Sequence, residues 1–266
     1  MSVLDSIVDG VREDLARRRS SVSAAQLEQR IADQPPARDA LAALRADGPD
    51  LMHVIAEVKR KSPSKGALAD IPAPAELAAA YERGGANVVS VLTEERRFGG
   101  SLDDLDAVRA AVDLPVLRKD FMVDEYQFLE ARAHGADLVL LIVAALDEVQ
   151  LRDFHQLARS LGMRALVEAH TEAEVERAAE LGAEIVGVNV RNLKTLEVDL
   201  SVYERLASGL PESVVKVAES GVSGLHDVEA FGAQGANAVL VGEALVKHAQ
   251  PEETVREFRR VSVSHP

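Results

Sequence analysis

The chain contains no cysteine and no tryptophan, and aromatic residues make up only 3% of its 266 positions. Disulfide frameworks, thiolate metal sites and cysteine nucleophiles are therefore excluded, while nothing follows about redox compartment. A chain that is 47% hydrophobic with so few aromatics must build its core from aliphatic side chains and alanine. Such a core suits helices packed on parallel strands better than an all-β sandwich. Basic residues are in deficit, 30 Lys and Arg against 44 Asp and Glu, and the net charge of -14 argues against nucleic acid as a partner. No apolar run approaches the roughly 20 residues of a membrane helix. The N-terminus carries Asp5, Asp9, Glu13 and Asp14; it lacks the apolar stretch of a secretory signal and is too acidic for a transit peptide. A soluble cytoplasmic protein with no membrane partner is expected.

What is present is a repeating alternation. Val3, Leu4, Ile7, Val8, Val11 and Leu15 recur at helical spacing and predict an amphipathic helix starting near Ser2. Further helices are predicted over Ala24–Ala32, ending at Pro35-Pro36, and over Arg38–Ala46, ending at Gly48-Pro49. From Met52 onward, β-rich runs alternate with stretches rich in Ala, Leu, Glu and Arg. The runs are Met52–Val58, Asn87–Thr93, Pro115–Lys119, Asp137–Val143, Arg164–Glu168, Glu184–Asn189, Val214–Glu219 and Ala238–Gly242. Most are too uniformly apolar for a sheet with one wet face, as expected of parallel strands covered on both sides. Gly85-Ala86, Gly135-Ala136, Gly182-Ala183 and Gly235-Ala236 each precede a run, supplying a left-handed helix cap at a period of two βα units. Eight such units predict an α/β fold, a closed (βα)8 TIM barrel over residues 51–266, with residues 1–50 as a helical extension packed on it. An open doubly wound sheet is the alternative, weakened because no Gly-x-Gly-x-x-Gly follows any strand.

Barrels of this kind carry their chemistry at the C-terminal strand ends, and here those ends are unusually polar. Side-chain alternation puts Glu57 and Lys59 on the face of Ile55, Lys119 on that of Leu117, and Glu168 on that of Leu166. With Asn189 and Glu219, three carboxylates, two ammonium groups and an amide would meet at one mouth. A single Glu–Lys pair would read as a structural ion pair. Five converging charges are costly to desolvate and unnecessary for folding, which points to proton-transfer chemistry.

The loop leaving the first run, Lys59-Arg60-Lys61-Ser62-Pro63-Ser64-Lys65-Gly66, holds four cations in seven residues of an acidic chain. At the mouth it would attract an anion, although a solvated basic turn or a localisation tag has the same composition. Ser220-Gly221 and Gly242-Glu243 stand where barrels commonly bind phosphate on backbone N–H groups, with Glu243 offering its N–H and pointing its carboxylate away. The histidines, at 53, 134, 155, 170, 226, 248 and 265, show no ligand spacing, so no metal site is expected. No Gly-x-Ser-x-Gly elbow is present, and Ser220 reads as a phosphate donor before a nucleophile.

Ile55-Ala56-Glu57-Val58-Lys59-Arg60-Lys61-Ser62-Pro63-Ser64, Val116-Leu117-Arg118-Lys119-Asp120-Phe121, Ala165-Leu166-Val167-Glu168, Gly187-Val188-Asn189-Val190-Arg191-Asn192-Leu193 and Ala218-Glu219-Ser220-Gly221-Val222 resemble the indole-3-glycerol-phosphate synthase family of tryptophan biosynthesis. The resemblance covers nearly the whole chain, the N-terminal extension included. It implies a cofactor-free conversion of 1-(2-carboxyphenylamino)-1-deoxyribulose 5-phosphate into indole-3-glycerol phosphate, carbon dioxide and water. Where many relatives have Asn, this chain has Val190, whose side chain alternation turns away from the pocket.

By the same resemblance Lys119 is the general acid at ring closure, Lys59 binds the departing carboxylate and assists dehydration, and Glu168 serves the later proton transfers. Glu57, Asn189 and Glu219 hold the lysines and sugar hydroxyls; Lys61, Ser220, Gly221, Gly242 and Glu243 bind phosphate; Arg191 and Ser62 support the pocket. A phenyl ring also needs apolar walls, for which Pro63, Phe98, Phe121 and Leu140 are candidates. The extension is implied to lie over the mouth near the first loop. A monomer is expected. Two other readings stay open here: a Schiff-base aldolase working through Lys119 or Lys59, and a silent phosphosugar-binding barrel.

Overall fold

The apolar stripe of the N-terminus forms α1 (Val3–Ser21) and buries Ile7, Val8, Val11 and Leu15. The structure is a computed structural model, and it describes residues 3–46, 48, 50–63, 66–192, 197–247 and 250–264. Ser2, Pro49, Ser64, Lys65, Leu193, His248 and His265, named above, lie outside those residues. Next comes α2 (Ala24–Ala32), begun by a capping box in which the Gln26 N–H donates to Ser23 Oγ and the Ser23 N–H donates to Gln26 Oε1.

The helix expected over Arg38–Ala46 is instead a single turn, α3 (Ala40–Ala43). The reason is local competition for backbone groups. Asp39 caps the turn by accepting from the N–H groups of Leu41 and Ala42. Arg38 stays outside it: its N–H donates to Asp137 Oδ1 at 2.7 Å and its guanidinium to the carbonyls of Val112 and Leu114. That segment is spent on plugging the end of the barrel opposite the mouth.

Among the described residues, eight parallel strands close into one barrel. They are β1 (His53–Val58), β2 (Val88–Leu92), β3 (Val116–Lys119), β4 (Leu138–Ile142), β5 (Arg164–Ala169), β6 (Ile185–Asn189), β7 (Val215–Glu219) and β8 (Ala238–Val241), each within one residue of its expected bounds. β1 pairs with both β2 and β8, so no edge is left open. Between and after the strands run α4 (Pro74–Gly84), α5 (Leu102–Ala111), α6 (Glu125–Ala133), α7 (Glu148–Ser160), α8 (Glu172–Glu180), α9 (Val202–Ala207), α10 (Leu225–Ala233), α11 (Glu243–Val246) and α12 (Pro251–Phe258). The four repeat glycines take positive φ, from 73° at Gly182 to 92° at Gly85, as helix caps require.

Alternation divides the core in two. Ile55, Leu117, Leu166, Ile185 and Leu240 fill the barrel interior. Their neighbours, such as Val54, Val91, Val167 and Val239, pack outward on the helices. Val190 belongs to this outer layer. Aliphatic side chains carry nearly all of it, as the scarcity of aromatics requires.

Within the extension α1 lies over the mouth, but its anchors are not on the first loop. Ile7, Val8 and Val11 pack with Val123, just after β3, and Leu15 and Leu27 with Tyr126 and Ala133 of α6. Polar clasps follow the same course: Arg96 donates to Asp14 at 2.6 Å, Arg18 to Glu130 at 2.8 Å and Arg19 to Asp124 at 2.7 Å. In the loop after β1, Lys61–Ser62 pairs instead with Gly66–Ala67 as a ribbon. Among the described residues, no helix is long and apolar enough to cross a membrane.

Candidate active site

Register brings the polar strand ends to one level. Asn189 lies beside Glu219, Ile142 beside Glu168 and Leu92 beside Lys119, all at the C-terminal rim. Every candidate residue named from the sequence lines one cavity there, with the exception of Lys61. Lys61 is exposed on the ribbon, its stem running beside Gly99, and does not reach the lining.

Lys119 Nζ stands at the centre, donating to Glu219 Oε2 at 3.0 Å and to Glu168 Oε2 at 3.3 Å. Burial pulls this ammonium down, but Glu219, Glu168 and Glu57 outweigh burial and hold it above its ordinary value. Two buried carboxylates around one cation leave an excess negative charge, so the pair divides its titration. Burial, reinforced by Glu168 and only partly offset by Lys119, pushes Glu219 up to about 8. Burial would raise Glu168 too, yet Lys119 and His170 outweigh it and keep this carboxylate below the ordinary range. The site thus sets an ammonium between two carboxylates of unequal acidity, Glu168 held low and Glu219 pushed up.

On the other side of the mouth, Lys59 pairs with Glu57 of β1. Phe98 and Phe121 face each other with ring centroids 6.1 Å apart, and Leu140 and Pro63 extend the same apolar wall. At the β7 end, Ser220 takes φ of 70° and Gly221 φ of 81°. A non-glycine residue in the left-handed region costs roughly 1 kcal/mol or more and commonly marks a functional turn. After β8, the Glu243 carboxylate pairs with Lys247 Nζ at 2.7 Å. Ser62 and Arg191 flank the opening, and the Arg191 N–H donates to Asn189 Oδ1 at 3.1 Å. Among the described residues no group of three His, Asp or Glu could hold a metal ion.

The family profile described as "Indole-3-glycerol phosphate synthase" matches residues 4–258. Relatives bearing that name include a Micrococcus luteus protein 65% identical over 266 residues, covering 99% of both chains. Another, from Arthrobacter sp. (strain FB24), is 62% identical over 260 residues, covering 97% of this chain and 96% of its own. The chain belongs to the indole-3-glycerol phosphate synthase family. A solved 3-hexulose-6-phosphate synthase from Salmonella typhimurium superposes with a TM-score of 0.62, covering 78% of this chain and 97% of its own. At 17% identity that likeness speaks for the barrel fold alone.

Several residues of this family member's mouth were missed from sequence. Val3, Leu4 and Ile7 of α1 line the cavity itself, on the side of Phe98 and Phe121. Gly187, midway along β6, is required because any side chain there would overlap Glu219 Oε1. A glycine inside an otherwise apolar strand is the signal that would have found it. Gly242 has a comparable role, since a Cβ would come within 3.0 Å of Glu57 Oε2. His170 and Glu174 sit behind Glu168, and nothing in linear spacing singles them out from the other histidines.

Proposed function

We propose that this barrel closes an indole ring, converting 1-(2-carboxyphenylamino)-1-deoxyribulose 5-phosphate into indole-3-glycerol phosphate. The observation that carries this reading is Lys119, protonated between two unequal carboxylates, beside an apolar wall and a second cation. The ring carbon bearing the carboxylate attacks the ketone carbon, and the ketone oxygen takes the Lys119 proton as the new carbon–carbon bond forms. Carbon dioxide then leaves, returning its bonding electrons to the ring. Finally the new hydroxyl departs as water with a proton supplied from the Lys59 side, while Glu168 removes a proton from the neighbouring methylene and the indole double bond forms. Each step places charge where an oppositely charged group already waits, so little reorganisation is needed.

In this reading Glu57, Asn189 and Glu219 hold the lysines and sugar hydroxyls. The turns at Ser220-Gly221 and Gly242-Glu243 receive the phosphate on their N–H groups, with Lys61 attracting it from outside. Ser62 and Arg191 frame the opening; Pro63, Phe98, Phe121 and Leu140 hold the ring. Residues 1–50 act as an extension of a catalytic barrel formed by residues 51–266. The protein works as a cytoplasmic monomer without cofactor, nucleic acid or membrane.

The Schiff-base alternative requires a free amine, and carboxylates hold Lys119 as the ammonium. Mixing the protein with the carboxyphenylamino substrate and following indole absorbance and fluorescence tests the proposal, against a low background because the chain has no tryptophan. Absence of the indole signal would overturn it, and a borohydride-trapped lysine adduct would install the aldolase reading instead.

A further inference from the structure

Glu168 is held from two sides. One oxygen accepts from Lys119, and the other, Oε1, lies 3.2 Å from His170 Nε2. His170 follows β5 by one residue and its ring is buried. Its other nitrogen, Nδ1, is 3.2 Å from Glu174 Oε2, and the same oxygen accepts the His170 backbone N–H at 2.8 Å. Glu174 lies in the first turn of α8, whose N-cap is Thr171, so turn, helix and histidine form one rigid unit.

We propose that His170 is a positioning residue for Glu168: clamped by Glu174, it fixes one carboxylate oxygen so that the other addresses Lys119 and the reacting methylene. This rests on the ring-closing reading. A carboxylate that must take a proton should be ionised and should not rotate, and an imidazolium paired with one oxygen at 3.2 Å favours both. It also breaks the symmetry of the carboxylate pair, because among the described residues no histidine pairs with Glu219, whose Oε1 is buried against Gly187. Burial pulls His170 down, but its bonds to Glu168 and Glu174 push it up to about 10. The groups that face this cluster are Lys119 from β3, Glu219 from β7, Glu174 from α8 and, across Lys119, Glu57 from β1.

Steady-state kinetics of His170→Gln and Glu174→Gln across pH provide the test. We expect kcat of His170→Gln to fall roughly ten-fold with KM within about two-fold, since the carboxylate serves a chemical step and not binding. The acidic limb of its kcat profile should move upward by about one pH unit, as Glu168 loses a cation. Glu174→Gln should move both in the same direction but less. Unchanged kcat and limb in both variants would overturn the proposal, as would a lowered kcat whose acidic limb stays in place. An NMR titration of the wild-type imidazole reads the clamp without turnover: His170 should remain doubly protonated at pH 8, and a neutral ring would overturn the clamp. If wild type makes no indole product, the ring-closing reading fails while the titration still decides the clamp. Should His170→Gln fail to fold, Glu174→Gln and the wild-type titration decide.

Discussion

Lys119 differs from Lys59 and Lys247 in pairing with two carboxylates at once, and this makes it the most informative residue to change. Replacing it by Ala removes the ammonium needed when negative charge grows on the ketone oxygen, and little that holds the phosphate or the ring. We expect Lys119→Ala to lower kcat by about 10²–10⁴-fold with KM within about three-fold, read by steady-state kinetics. Retention of more than a tenth of wild-type kcat would exclude Lys119 as the acid. Gly187→Ala makes a sharper test of geometry. Its new methyl would overlap Glu219 Oε1 in a space closed on the other side by Leu166. Glu219 must swing away from Lys119, so kcat should fall at least roughly ten-fold in a variant whose far-UV spectrum is that of wild type. The reacting groups Lys59, Lys119 and Glu168 were legible in the chain because strand alternation converts a linear pattern into a shared face. His170 was not: its partner Glu168 is two residues away in sequence, and only the turn after β5 folds its ring back onto that carboxylate.

At the scale of elements, α1 is where fold and site meet. Val3, Leu4 and Ile7 line the cavity, while Ile7, Val8, Val11 and Leu15 are the buried stripe. Burying such side chains contributes on the order of 1.5–3 kcal/mol each, an upper figure because the unfolded chain already hides part of them. Removal of residues 1–46 should therefore lower the melting temperature and raise KM several-fold, as the mouth opens to water on its aromatic side. A shortened chain with wild-type KM and melting temperature would show that α1 is neither wall nor support. The existence of α1 was readable from its apolar period. Its docking site was not, because Arg96, Asp124 and Glu130 are distant in sequence and become its polar anchors only once β2, β3 and α6 stand side by side. The shortness of α3 has a similar origin: Arg38 favours helix in isolation, but Asp137 and two carbonyls at the barrel floor claim it.

For the whole molecule, stability must depend on pH through the groups buried at the mouth. His170 is raised from 6.5 to about 10 and Glu219 from 4.5 to about 8. Between each pair of values the folded protein holds a proton that the unfolded chain has released, so stability falls as pH rises. The His170 contribution is fully present below pH 6.5 and is lost as pH climbs through 10. Glu168, held low, acts oppositely: its contribution is present above its ordinary value of 4.5 and is lost on acidification below it. We expect the calorimetric melting temperature to fall between pH 6.5 and 10, and to fall less steeply in His170→Gln; equal slopes would contradict the assigned protonation. The order of strands and helices, the aliphatic core and the inward face of each strand were determined by the sequence alone, because they follow from a period of two or 3.6 residues and from glycine at helix ends. Closure of the barrel, the sharing of one ammonium by two carboxylates, the glycines that make room for Glu219 and Glu57, and the histidine behind Glu168 were decided by tertiary structure. Each depends on distances between strands far apart in the chain, and a one-dimensional pattern carries periodicity but no such distance.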